Sequence, residues 1–199
     1  MTGERAISLH FKVYGDEPNK VWHAEQQRWY AYDLDTKIAI YADRVRGWFL
    51  DFGQKFTSEH NCGFIVLMIG VSYLEGNQQF RDGASSENGS KRAFKRAIQR
   101  LFGISDHDAG LVYGAVRSGL FHDAMTKASV GIGPELPAAL VVTADGKILL
   151  NTNLFIAAVV ADFDRYILEL NDCEMTNLRL NFERLWVHRA PSYWLAPET

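Results

Sequence analysis

The stretch Asp35-Thr-Lys-Ile-Ala-Ile-Tyr-Ala-Asp-Arg-Val-Arg-Gly-Trp-Phe-Leu-Asp-Phe-Gly-Gln-Lys-Phe-Thr-Ser58 sets the class of the chain. Ile38, Tyr41, Val45, Trp48, Phe49, Phe52 and Phe56 recur at three- and four-residue steps. That spacing lays apolar side chains along one side of a helix. Asp35 or Thr36 is the expected cap, since a short oxygen-bearing side chain accepts from the unpaired amides of a first turn. His60-Asn-Cys-Gly63 interrupts the period. A second helix is expected from about Phe64 to Phe80. It opens within the longest apolar run, Gly63 to Val71. That run is well short of the ~20 residues a membrane span needs, so it reads as a buried core helix and no membrane partner is expected.

Working outward, Arg81 to Ser90 is rich in Gly, Ser, Asn and Asp and reads as a loop. Lys91-Arg-Ala-Phe-Lys-Arg-Ala-Ile-Gln-Arg-Leu-Phe102 is a basic helix stopped by Gly103. Ser105 caps the next helix, with Asp108 as a short-armed version of the capping-box partner, and that helix is expected to fade near Ala128. Leu140 to Leu150 alternates around Asp145-Gly146, the pair suited to a tight type I′ hairpin. Asn151 or Thr152 caps a long helix to about Leu170, and a last one spans about Asn177 to His188. Toward the N-terminus, Ile7 to Val13 alternates like a strand, Asp16 to Asn19 is a turn, and Val21 to Tyr32 fits no single period. Trp22, Trp29, Tyr30 and Tyr32 are expected to pack on the helices.

The expectation is a mainly α protein, an antiparallel helical bundle with a small β-hairpin. An aromatic-rich segment, residues 1–35, packs on a helical domain of residues 36–188. The hairpin is inserted at about 139–150, and residues 189–199 form an irregular tail. Short linkers between six helices favour antiparallel neighbours.

Composition narrows the function classes. A chain of 199 residues, 47% of them hydrophobic, can bury one proper core. A net charge of -3 does not advertise nucleic-acid binding, so any such role needs a local basic patch. The two cysteines, Cys62 and Cys173, lack ligand spacing and read as ordinary thiols of a reducing cytoplasm. The first residues lack the basic-then-apolar layout of a signal peptide. His10, His23, His60 and His188 show no ligand spacing, and Asp106-His107-Asp108 reads as acid at a helix start. Gly131-Ile-Gly133-Pro134 reads as a loop breaker. With no P-loop or dinucleotide-binding glycine pattern, neither metal nor cofactor is expected.

The stretch most suited to chemistry is Tyr113-Gly-Ala-Val-Arg-Ser-Gly-Leu-Phe-His-Asp123. Arginine keeps its charge and histidine is a proton-transfer group, so Arg117 and His122 offer a fixed positive charge beside a group that can give or take a proton. Together they suit attack on a phosphodiester, with His122 as general acid or base and Arg117 stabilising phosphoryl charge. On an ideal helix they point about 140° apart, and Gly119 is expected to loosen the turn between them. Ser118 lies under His122 at i, i+4, and Asp123 adjoins it as a candidate orienting group. The same residues also suit a salt-bridged arginine and a core histidine. In the basic helix, Arg92, Arg96 and Arg100 share one stripe beside Lys91 and Lys95. They read either as a phosphate-tracking face or as a solvated one.

The run Tyr113-x-x-x-Arg117-x-Gly119-Leu120-x-His122 resembles the motif helix of HEPN domains, whose signature is R-x4–6-H. The upstream order is also similar: an apolar helix ending in Ser72-Tyr-Leu-Glu75-Gly, a polar loop, then a helix feeding the motif helix. The resemblance spans about residues 36 to 170. It implies a metal-independent endoribonuclease of a prokaryotic toxin or phage-defence setting, cutting RNA through 2′-hydroxyl attack. Arg117 and His122 would then be catalytic, with Glu75 as a supporting acid. It also implies a homodimer in which two motifs face one cleft. Ser118 stands where many active members carry Asn, Asp or His. Ala124 stands where one toxin branch carries Tyr, so that branch's pairing is not implied and any antitoxin or partner protein stays open. The alternative is a non-catalytic HEPN-like binding or dimerisation module with a nucleotide pocket.

Overall fold

Asp33, rather than Asp35 or Thr36, starts the first helix. Its carboxylate accepts from Thr36 N–H at 2.9 Å, so α1 spans Leu34–Val45. The computed structural model describes residues 4–17, 19–85 and 89–189. After α1 the chain enters a π-helical turn, Arg46–Leu50, then a short α2 (Asp51–Lys55) and a 3₁₀ turn, Phe56–Ser58. The wider turn breaks the 3.6-residue period that the sequence suggested. Leu50 and Gly53 face the core, while Trp48, Phe49 and Phe52 turn outward.

The longest helices are α3 (Gly63–Asp82) and α7 (Thr152–Asn171). Helix α3 is central and packs against α4 (Ser90–Phe102), α7 and α8 (Thr176–Arg189). Phe94, Phe155, Phe163, Tyr166 and Phe182 are fully buried between them. Ser105 caps α5 (Asp106–Val112) through Asp108 N–H at 3.1 Å. Asn151 caps α7 through Asn153 and Leu154 N–H, both at 3.0 Å. A second π-helical turn, Tyr113–Arg117, joins α5 to α6 (Ser118–Asp123). The chain leaves the helix at Ala124, in the left-handed region at φ 56°, so the motif helix ends before the expected Ala128.

The N-terminal segment is a four-stranded antiparallel meander rather than one strand and an undefined stretch. Strands β1 (Arg5–Ala6), β2 (Phe11–Val13), β3 (Lys20–His23) and β4 (Arg28–Ala31) pair in sequence order. Trp22 lies opposite Trp29, their rings edge to face. The expected Ile7 to Val13 strand is split because Asp43 of α1 draws in its middle. Ser8 Oγ donates to Asp43 at 2.5 Å and His10 N–H at 2.7 Å. Tyr32 fastens the segment to α8 by accepting from Trp186 Nε1 at 2.8 Å.

The hairpin is present as β6 (Leu140–Val142) and β7 (Ile148–Leu150), but a third strand joins it. Strand β5 (Val130–Ile132) pairs in parallel with β7, so Gly131 belongs to a strand and not to a loop breaker. Gly146 is left-handed at φ 80° while Asp145 is not, and Thr143 N–H reaches Lys147 O at 2.8 Å. That is a type I turn closed by a glycine bulge, in place of the type I′ turn. The molecule is mainly helical with a small four-stranded antiparallel sheet. No helix among the described residues is long and apolar enough to cross a membrane. The expected tail lies, from residue 190 on, outside the described residues, and Arg189 closes α8.

Candidate functional site at the Arg117 turn

Arg117 sits at the end of the second π-helical turn, on the edge of α3. Its Nε donates to Glu75 Oε2 at 3.1 Å, and its Nη2 lies 2.9 Å from the same oxygen. Both side chains are mostly buried, at 19% and 13% exposure. The guanidinium also lies over the Phe121 ring at 4.6 Å and the Tyr113 ring at 5.7 Å. These rings occur four residues after and four residues before Arg117, so one helical stripe supplies both. Two of the five guanidinium N–H groups are used by Glu75, which leaves Nη1 for another acceptor.

Tyr113 links this arginine to the basic helix. Its hydroxyl lies 3.3 Å from Ser90 Oγ, its ring meets Phe94, and Lys91 Nζ sits over it at 5.8 Å. The five basic residues of α4 have different surroundings. Lys91 and Arg92 are exposed. Lys95 pairs with Asp106 at 2.6 Å and Arg96 with Asp82 at 2.8 Å. Those four border a cleft of about 330 Å³. Arg100 turns inward instead. Its two Nη groups clasp the fully buried Asp162, Nη2 at 2.9 Å, and its Nε reaches Gln78 at 3.3 Å. Burial works against the Arg100 charge, but the Asp162 carboxylate outweighs it and raises its pKa. The single stripe drawn from spacing is therefore two exposed cations, two surface pairs and one arginine whose head reaches a buried carboxylate.

His122 is exposed near the end of α6, and no hydrogen bond joins it to Arg117, Ser118 or Asp123 among the described residues. Gly119 does not act by loosening the helix. A Cβ there would stand 2.6 Å from Met125 O, because the chain folds back across α6 and Lys127 N–H bonds Ala115 O at 3.0 Å. The glycine is required by this close backbone approach.

No protein-family model, curated protein or solved structure matches the chain.

An exposed stripe leads to the Arg117–Glu75 pair. Ile65, Met68 and Ser72 follow one side of α3, ending at Glu75, and Phe121 continues it on α6. Ile65 and Phe121 are nearly half exposed. No group of three or more His, Cys, Asp or Glu side chains suited to a metal exists among the described residues. The sequence pointed to Arg117, His122 and Glu75 but missed Tyr113 and Phe121 as their neighbours. Their i±4 spacing from Arg117 was the available signal. It also missed the Asp43 clasp, whose His10 Nδ1 lies 2.5 Å from Asp43 Oδ1 across 33 residues of chain.

Proposed function

We propose that this protein is a metal-independent endoribonuclease of the HEPN kind, working as a homodimer. The observation that carries the reading is the pinned guanidinium. Glu75 fixes Arg117 with Nη1 left over, and Tyr113 puts the exposed Lys91 and Arg92 end of α4 beside it. A phosphate arriving along that basic end meets Arg117 at the motif.

In this reading Nη1 of Arg117 binds a non-bridging phosphoryl oxygen and stabilises the charge that grows on it. His122, exposed and free of competing hydrogen bonds among the described residues, takes the proton of the ribose 2′-hydroxyl or gives one to the leaving 5′-oxygen. One copy offers one histidine. A second copy packed on the Ile65, Met68 and Phe121 stripe would bring a second motif to the same cleft, so that one histidine acts as base and the other as acid. The products carry a 2′,3′-cyclic phosphate.

The deciding experiment incubates purified protein with single-stranded RNA in chelator. Cleavage to cyclic-phosphate ends is expected, with His122→Ala slower by about 10²–10⁴-fold. Unchanged rates in His122→Ala, or no cleavage of any RNA by the wild type, would sink the proposal. A non-catalytic assembly module is the second reading, favoured by the charge that Glu75 already spends on Arg117. It predicts dimers whose stability depends on Ile65 and Phe121 and RNA that is bound without being cut.

A further inference from the structure

Two adjoining hollows, of about 200 and 300 Å³, form one groove between α1, the first π-helical turn, α3 and the end of α8. Tyr41, Val45, Phe49, Phe80 and Arg189 line both, and Trp186 lines the first. The floor is packed: the Tyr41 and Phe80 rings are buried, with their centroids 4.6 Å apart. The wall is open, because the Phe49 ring is nearly half exposed. The π-helical turn carries Phe49 out of the core and sets it along this groove.

The course of the chain points to what fills it. Arg189 is both the end of α8 and part of the rim, where its guanidinium lies 5.4 Å from the Phe80 ring and donates to Gln79. The sequence continues Ala190-Pro-Ser-Tyr-Trp-Leu-Ala-Pro-Glu-Thr199. Proline lacks the amide that a helix needs and disfavours helical backbone in the residue before it, so the sequence calls for α8 to end at this rim. Tyr193, Trp194 and Leu195 are three large apolar side chains in a row, and the other seven residues after Arg189 are small, proline or polar. Trp194 stands five residues beyond Arg189. An extended chain of that length reaches about 17 Å, enough to cross hollows of this size.

We propose that Tyr193-Trp194-Leu195 folds back into this groove and closes it, with Trp194 against Phe49 and Val45. Apolar burial drives the seating. The segment is tethered at the rim, so its effective concentration there is of the order of millimolar and modest contact suffices. The rim suits an indole as well, since the Arg189 cation stands where it can lie over the ring face.

The test uses the full chain labelled with 5-fluorotryptophan, with Trp194→Phe assigning the Trp194 fluorine signal. The shift of that signal between H₂O and D₂O reads its exposure. We expect Trp194 to be protected, and the protection to be lost in Phe49→Glu, which puts a charge on the open wall and leaves the floor alone. Phe49→Ala, the milder change, should lose part of it and serves if the glutamate variant does not fold. Trp194→Ala should lower Tm by about 3–12 °C, the shift for one large apolar side chain in a chain of this size. In the Phe49→Glu background it should lower Tm by clearly less, because touching residues are not additive. A solvent-exposed Trp194 in the wild type overturns the proposal. Protection that both Phe49 variants leave intact, with additive Tm losses, places the segment elsewhere and overturns it too. So does protection that disappears on dilution together with a dimer in sedimentation, which makes a second copy the occupant.

Discussion

Arg117 and Glu75 meet across two helices, two guanidinium nitrogens converging on one carboxylate oxygen at 3.1 and 2.9 Å. Both are largely withdrawn from water, so this pair is less screened than one on an open surface. Glu75→Gln keeps the shape and removes the charge. It should cost about 1.5 kcal/mol, as for a hydrogen bond to a charged group. For a chain of this size that lowers Tm by about 3–6 °C. Cleavage should fall by more than that loss explains, because Arg117 is no longer held. Scanning calorimetry beside a cleavage assay checks both. A Tm drop with unchanged kcat/KM would make Glu75 structural only.

Gly119 is held by a backbone oxygen, which cannot rotate away. Gly119→Ala should destabilise by about 1–3 kcal/mol through overpacking, although alanine is the better helix former by about 1 kcal/mol. Urea unfolding reads the sign. A more stable variant would mean that the Met125 to Lys127 return does not press on α6 in solution.

The cations of α4 should separate by what they touch. Arg100→Met takes the nearest cation from the buried Asp162 carboxylate, which keeps Asn77 and, at 3.8 Å, Arg81, and should cost about 1.5–3 kcal/mol. Arg96→Ala, which loses only a surface pair with Asp82, should stay within about 0.5 kcal/mol. Equal losses in chemical denaturation would contradict the inward turn of Arg100.

Acid should loosen the N-terminal sheet first. Burial opposes the Asp43 charge, but the Ser8 hydroxyl and the His10 N–H and ring outweigh it and hold the carboxyl below its ordinary range. A carboxyl lowered in the folded state stabilises above its unfolded pKa, about 3.9. That contribution is lost as pH falls through the lower folded value. Amide exchange in β1 and β2 should therefore rise as the pH drops below about 4. In Asp43→Asn that acid step should vanish. A step that persists in the variant would assign it to another group.

Binding of RNA should be salt-dependent through the exposed end of α4. Replacing Lys91 and Arg92 by Ala should flatten the plot of log affinity against log salt by about 0.7 for each lost contact to a single strand. Filter binding at several salt concentrations reads the slope. An unchanged slope would place the strand elsewhere.

The sequence by itself determined which segments are helical and where several begin and end. Those signals are local. Ser105 and Asn151 cap with their own side chains, Gly103 ends α4 in the left-handed region, and the alternation about Asp145-Gly146 marks a hairpin. The pairing of Arg117 with Glu75 was anticipated only in part, since the resemblance suggested an acid there without its geometry. Tertiary structure alone decided the rest. A π-helical turn differs from an α turn by one residue, and no local period announces it. What selects it is the packing of Leu50 and Gly53 against neighbouring helices, which leaves Phe49 and Phe52 outside. The inward turn of Arg100, the split of the first strand by Asp43 and the groove beside Arg189 arise the same way. Each joins groups tens of residues apart. Helix and turn preferences are fixed within a few residues, whereas the partner of a charge is fixed only when the chain has folded around it.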